Sequence, residues 1–360
     1  MNKLKLAIGA ACLSACTADV EAPPETELPV SVSPVSIMAF NVENLFDTTD
    51  DAGKDDKTFL PLAMKQGDAH IAECNEIEVD RWRRQCLEWD WNDEALAIKL
   101  ERVASAILQV NDGRGPDIVA LQEIENLGIL ERLRTEHLQA AGYGPAVLIE
   151  GQDLRGIDVA FLSRLPLAGD PVLHDLRFDD SIPKEREQDT RGVLQADFEL
   201  PDGNTLTGFS VHFPAPFHPT EMREAAYRHL NTLKSALPDN RPSFAAGDFN
   251  TTSVEDADKD MLGRFVRNEW TIAHEVGCEE CPGTSYFQPR DDWSFLDMVI
   301  WSDGGGWTLD ADSVAIPKDA PEQSREIKPG ILAPKRFDMT GMSGISDHYP
   351  VLVTISRAGE

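Results

Sequence analysis

The chain has 360 residues, 41% of them apolar, enough for one large core or two modest ones. Thirty-three Lys and Arg against 63 Asp and Glu give a formal net charge of −30, which keeps the protein soluble and excludes capture of polyanions by overall attraction. A phosphate substrate therefore needs local cations, and a bound metal ion is one source of them. Most of the carboxylates read as a solvated surface.

The N-terminus, MNKLKLAIGAACLSAC, has two lysines followed by an apolar run too short to cross a bilayer as a helix. Residues 1–15 read as an export signal. Leu13-Ser14-Ala15-Cys16 resembles the lipobox of bacterial lipoproteins. That implies cleavage before Cys16, acylation of Cys16 and, with Thr17 next in place of Asp, sorting to the outer membrane with a periplasmic or surface-facing domain. An ordinary cleaved signal is the alternative. Each buried methylene contributes about 0.8 kcal/mol, so several acyl chains anchor stably. Residues 16–34, rich in Pro, Glu, Ser and Val without a period, suit an extended tether. One domain is expected over residues 35–356.

That domain opens with VSIMAF as a strand-like run; DIVALQ, DVAFLS, VLQADFEL, LTGFSVHF, SFAAGDF, LDMVIW and VLVTI follow in order. After the first run, residues 48–93 are acidic and far longer than an ordinary connection, and they hold Trp82, Trp89 and Trp91 with Cys74 and Cys86. They read as an insertion stapled by its own disulfide, a substrate-facing flap or a decorated surface loop. Asn92 caps a predicted helix in which Leu96, Leu100, Val103, Ile107 and Val110 share a stripe, ending at Asn111-Asp112-Gly113. A second helix is expected from about Leu127 to Ala140, and a third, capped by Thr220, turns Ala226, Leu230, Leu233 and Leu237 inward. Strands in series with interspersed helices predict an α/β (α+β) layered domain. In an oxidising compartment the preferred pairing is Cys74 with Cys86 and Cys278 with Cys281; a four-cysteine zinc site is the rival, although only the second pair has ligand-like spacing.

Several polar residues interrupt or follow these runs: Asn41 and Glu43 in FNVENLFD, Glu123 in VALQEIEN, His212 in FSVHFPA, Asp248 and Asn250 in AAGDFN, Asp297 in FLDMVIW, and Asp347 and His348 in ISDHYP. Burying one such group unpaired costs a few kcal/mol, so a set of them at strand ends implies mutual pairing or a shared cation. Hard oxygen ligands with accessory histidines suit Mg²⁺ or Mn²⁺. Taken singly, Asp248 reads as an Asx turn, His212 as a core histidine and Asp347-His348 as a plain turn.

In order, NVEN, LQEIEN, GIDVAFLSR, SVHF, GDFN, LDMVI and SDHYP resemble the metal-dependent endonuclease/exonuclease/phosphatase superfamily, the group of DNase I, abasic-site endonucleases, inositol-polyphosphate phosphatases and bacterial sphingomyelinases. The resemblance implies a four-layer α/β/β/α sandwich of two mainly antiparallel sheets. It implies that Asn41, Glu43, Glu123 and Asp347 hold or surround the cation, that Asp248 and Asn250 orient or deprotonate the attacking water, and that Asp297 pairs with His348. His212 falls where DNase-like and sphingomyelinase-like members place a second histidine. Asp158 is a candidate to orient His212, and Arg155 and Arg191 are candidate phosphate contacts, each against a structural salt bridge. The remaining histidines, His274 among them, read as structural or exposed.

Three functions follow: an exported nuclease acting on DNA or RNA, a phosphatase or phospholipid diesterase on the same core, and an inactive binding domain. Every core polar position carries a competent residue, which sets the third aside. RWRR at Arg81 to Arg84 is the densest basic cluster, little for a nucleic-acid grip. An extracytoplasmic address favours the nuclease.

Overall fold

The computed structural model describes Met1 and residues 32–179 and 182–357. Cys16, the signal and most of the tether lie outside the described residues. All elements below belong to the unit Val32–Glu360.

Side-chain alternation builds the layers. In the strand Val35–Leu45, Met38, Phe40 and Val42 enter one apolar cluster, while Val35, Ile37 and Ala39 enter another. A strand buried on both faces needs cover on both. One face is covered by the helix Asp93–Leu108, which brings Leu96, Leu100, Val103 and Ile107; each such fully buried side chain contributes roughly 1.5–3 kcal/mol. The other face meets a second sheet, where Leu194, Phe198, Phe244 and Trp301 fill the space between sheets. Beyond that sheet, Phe209, Val211, Ala245 and Met298 pack on Ala226, Tyr227 and Leu230 of the helix Thr220–Ser235. Three apolar interfaces make four layers, the architecture expected from the sequence.

The first sheet runs in the order Trp307–Ala315, Val351–Arg357, Val35–Leu45, Ile118–Ile124, Asp158–Ser163, Val147–Leu148. The second runs Val172–His174, Val193–Glu199, Thr205–His212, Ser243–Asp248, Asp297–Ser302, Thr271–Ile272. One pair in each sheet is parallel, Val35–Leu45 with Ile118–Ile124 and Thr205–His212 with Ser243–Asp248.

Asn92 caps its helix, Oδ1 accepting from the amides of Glu94 and Ala95. Thr220 does not act as a cap: Pro219 precedes the helix, and Thr220 Oγ1 donates to Glu255 Oε1 at 2.7 Å. The expected helix to Ala140 is α-helical over Leu127–Arg132 and continues as a wider turn over Leu133–His137.

Residues 48–93 fold onto the first sheet. Phe59 stacks on Phe46 at 4.3 Å, and Trp91 lies edge-on to Phe59 and donates Nε1–H to the Phe46 carbonyl at 3.1 Å. Two short helices, Asp68–Asn75 and Asp80–Glu88, follow and are joined by a Cys74–Cys86 disulfide; Cys278 is bonded to Cys281.

His274 is buried at the edge of the second sheet, its ring stacked on Phe295 at 3.8 Å and its Nδ1 without a hydrogen-bond partner among the described residues. Burial pushes its pKa down to about 4, against the attraction of Glu275 and with added repulsion from Arg267. The unfolded chain takes up this proton near pH 6.5 and the folded chain only near 4, so stability is lost as pH falls between those values. His274→Phe is expected to flatten that loss by up to ~3 kcal/mol relative to wild type in urea melts run from pH 7 to 4. Parallel stability curves for the two proteins would defeat it.

Candidate active site

Pairing in the second sheet sets three polar side chains in a row at the strand ends. His212 is level with Asp248 on its parallel neighbour, and Asp297 is level with Asp248 on the antiparallel one. Gly247 makes this possible: its φ is +143°, and a Cβ would meet the Val211 carbonyl oxygen at 2.1 Å and Gln122 Nε2 at 2.9 Å. The stretch AAGDFN then turns sharply. Asp248 Oδ1 accepts the Asn250 amide at 2.8 Å, Asn250 sits at φ +52°, and its Nδ2 donates to the Phe213 carbonyl at 3.0 Å.

The first sheet contributes through irregular backbone. The pairing register slips between Asn41 and Leu45 and again between Gln122 and Ile124, with Glu43, Asn44 and Glu123 at φ +54°, +57° and +64°. Left-handed backbone at non-glycine residues is unfavourable, and such bulges re-aim side chains. Here they bring carboxylates together. Glu123 Oε2 accepts the Asn44 amide at 2.9 Å, and Glu43 Oε2 accepts the amides of Asp347 at 3.1 Å and Phe337 at 3.2 Å. Asn41 Nδ2 reaches Asp248 Oδ2 at 3.1 Å and Glu123 Oε1 at 3.3 Å, linking the two sheets.

The expected Asp297–His348 pair is present. His348 Nδ1 donates to Asp297 Oδ2 at 2.6 Å, while Asp297 is fully buried and its Oδ1 has no partner among the described residues. Burial pulls the His348 pKa down, but Asp297, then Asp347 and Asp248, outweigh it and hold the ring cationic well above the usual histidine range. His212 behaves oppositely: burial and the nearby Arg191 keep it neutral, 3.6 Å from Asp248 and 3.9 Å from Glu123. Burial, with Asp297 adding repulsion against the attraction of His348, lifts Asp248 to about 7.

Glu43, Glu123 and Asp347 converge on a common region. Burial, then Asp347, pushes Glu43 up to about 8 even with Arg336 beside it. A buried carboxylate that ionises only with more positive charge nearby is what a cation site predicts, and an all-oxygen set fits Mg²⁺ or Mn²⁺. Among the described residues, the ligand atoms of Asp248, Asp297 and His348 lie within 4.8 Å of one another. Glu43, Glu123 and Asp347 are not among the groups drawn together that closely, and two of them already pair with Arg336, so the two clusters are distinct in geometry as well as in composition.

Two weaker assignments need correction. Asp158 does not orient His212: it accepts the Gly151 amide at 2.9 Å, and His212 Nδ1 has no partner among the described residues. Burial lifts Asp158 to about 7. Arg191 is not free for phosphate, because it is buried against Asp153 with Nε 2.9 Å from Oδ2. Arg155 is exposed at the rim, its Nη2 donating to Asn44 Oδ1 at 2.6 Å.

Two residues escaped the sequence reading. Arg336 pairs with both Glu43 and Asp347. Lys99, fully buried, donates Nζ–H to the carbonyls of Val42 (2.6 Å), Glu43 (2.8 Å) and Ile345 (2.6 Å), clamping the first bulge to the loop that carries Asp347. Burial pushes its pKa down to about 8, against the attraction of Glu43, Asp347 and Glu123.

The profile of the Endonuclease/Exonuclease/phosphatase family matches residues 87–348. Among solved structures, a Bacteroides thetaiotaomicron endonuclease/exonuclease/phosphatase family protein is similar at 14% identity and TM-score 0.54, covering 91% of this chain and 98% of that one. Humanized D. rerio TDP2 is similar at 15% identity and TM-score 0.56, covering 90% and 99%. D. rerio TDP2 complexed with single strand DNA product is similar at 15% identity and TM-score 0.55, with the same coverage. No curated protein matches significantly. With the family profile over most of the chain and the same fold, this protein belongs to the endonuclease/exonuclease/phosphatase family, divalent-metal-dependent hydrolases acting on phosphoester bonds.

Proposed function

We propose that the chain is an extracytoplasmic nuclease, anchored to the outer membrane through Cys16, that hydrolyses DNA or RNA phosphodiesters by in-line attack of water. The observation that carries this reading is the Asn41 amide, hydrogen-bonded at once to Asp248 and Glu123, which sets a water-handling carboxylate beside the cation cluster. Glu43, Glu123 and Asp347 would hold Mg²⁺ or Mn²⁺, with Asn41 beside them. The ion supplies Lewis-acid neutralisation of phosphate charge. Asp248, its other oxygen fixed by the Asn250 amide, accepts the proton of water as that oxygen bonds to phosphorus; the bond from phosphorus to the departing oxygen breaks and solvent protonates the alkoxide. His348, held cationic by Asp297, donates Nε2–H to a non-bridging oxygen, where charge grows in the transition state. The D. rerio TDP2 complex with a single-strand DNA product agrees with a nucleic-acid substrate.

The purified chain, incubated with supercoiled plasmid, RNA, a chromogenic phosphodiester and a chromogenic phosphomonoester under Mg²⁺, Mn²⁺ or EDTA, tests this reading. Metal-dependent cleavage of plasmid or RNA is expected. Turnover of the monoester alone would replace the nuclease by a phosphatase. Glu123→Gln is expected to weaken Mg²⁺ binding at least tenfold in calorimetric titration, and to cut the stabilisation that Mg²⁺ at a hundred times the wild-type Kd gives from ~2.7 kcal/mol in wild type to ~1.4 kcal/mol or less. An unchanged affinity would remove Glu123 from the cation site.

A further inference from the structure

A groove of about 1090 Å³ runs outward from Asp347 and Arg336, larger than the ~300–1,000 Å³ of an ordinary small-molecule pocket. Three separated pieces of chain wall it. The insertion contributes Arg81, from the helix that the Cys74–Cys86 disulfide ties to its neighbour. The hairpin Ser285–Ser294 contributes Phe287 and Arg290, and the hairpin Ser324–Pro334 contributes Arg325. Phe217, from a fourth segment, also lines it. A second hollow of about 460 Å³ adjoins it and shares Arg81 and Arg336.

The charge of this groove opposes that of the whole molecule. Its lining holds Arg81, Arg290, Arg325 and Arg336 against Asp292 and Asp347, in a chain of net charge −30. Most exposed arginines elsewhere are tied to carboxylates, for example Arg177, Arg228 and Arg267. Among the described residues, no carboxylate lies within 4.0 Å of Arg81, Arg290 or Arg325. Arg290 instead lies over the Phe287 ring at 5.5 Å. Phe287 and Phe217 are 53% and 82% exposed, an arrangement that burial energetics disfavour in an unliganded protein. Arginines without carboxylate partners, interleaved with exposed rings along a groove, match a strand whose phosphates are spaced by flat bases. In a duplex the base faces are stacked on one another and closed to such rings.

Resting on the nuclease reading above, we infer that this groove binds single-stranded nucleic acid, with Arg81, Arg290 and Arg325 on phosphates and Phe217 and Phe287 under bases. The insertion is then one wall of the substrate channel, and its disulfide serves to hold Arg81 at the groove.

The test measures initial rates and salt dependence for the full chain with Mg²⁺ on a dT₁₅ oligonucleotide, a duplex of equal length and bis(p-nitrophenyl) phosphate. The single strand is expected to show a KM at least tenfold below the duplex. Phe287→Ala and Arg81→Ala are each expected to raise KM on the single strand about tenfold, with kcat changed far less, and Arg81→Ala to lower the salt slope by about one. Arg228→Ala, on the helix Thr220–Ser235, is the control and is expected to behave as wild type. Equal KM for single strand and duplex, or unchanged KM and salt slope in the groove variants, would overturn the groove assignment while leaving a nuclease. Hydrolysis of bis(p-nitrophenyl) phosphate with no cleavage of either oligonucleotide would overturn both the groove and the nuclease reading.

Discussion

His348→Ala is expected to lower kcat on a phosphodiester by about 10²–10⁴-fold, and Asp297→Asn by a similar factor, while the double variant is no worse than either alone. Asp297 is completely buried, one oxygen accepts from His348 and the other has no partner, so its negative charge has the imidazolium as its direct counterweight. The ring owes its orientation to the same bond. Each residue is useful only through the other, which is the condition for non-additive effects. Removing His348 also leaves a buried carboxylate uncompensated, a change that costs roughly 3–5 kcal/mol in comparable pairs, so a thermal melt belongs beside each rate measurement. Asp297→Asn keeps the shape without the charge and serves as the better-folded member of the set. Losses that multiply in the double variant would mean that the two residues act separately.

Lys99→Met is expected to carry a large stability loss, about 3–5 kcal/mol, read as a drop of about 4–7 °C in Tm. Methionine fills most of the lysine volume, so the loss reports polar contacts more than packing. Three carbonyls, those of Val42, Glu43 and Ile345, lose a charged donor in a site closed to water, and Glu43 loses a nearby positive charge. Because two of those carbonyls belong to the bulge that aims Glu43, weakened Mg²⁺ binding is expected with the instability. A Tm within ~2 °C of wild type would show that the clamp contributes little.

Lys99 also shows where a sequence reading stops. It stands three residues after Leu96 and four before Val103, on the apolar stripe of its own helix, so the spacing alone marks it as a buried cation. What it holds was invisible, since Val42 and Ile345 lie 57 and 246 residues away along the chain. Arg336 offered no comparable signal: it lies in the loop segment KRFDMT, and only folding brings it to Glu43, more than 290 positions earlier. Asp158 and Arg191 failed for the complementary reason. Their motifs placed them near the site, yet other partners engage them: Asp158 accepts the Gly151 amide and Arg191 pairs with Asp153.

The sequence by itself determined what depends on local periodicity and residue chemistry. Strand-like apolar runs marked most strands of both sheets, Asn92 marked a helix start, and polar residues at the ends of those runs marked Asn41, Glu123, His212, Asp248, Asp297 and His348. Their family order then identified the fold. Tertiary structure alone decided the register that sets Asp248 level with Asp297, the left-handed bulges at Glu43 and Glu123, and the approach of Arg81 and Arg336 to one groove. These depend on contacts between residues far apart in the chain, where the entropy of closing long loops is offset by burial shared across all four layers, and no short window of sequence contains that balance.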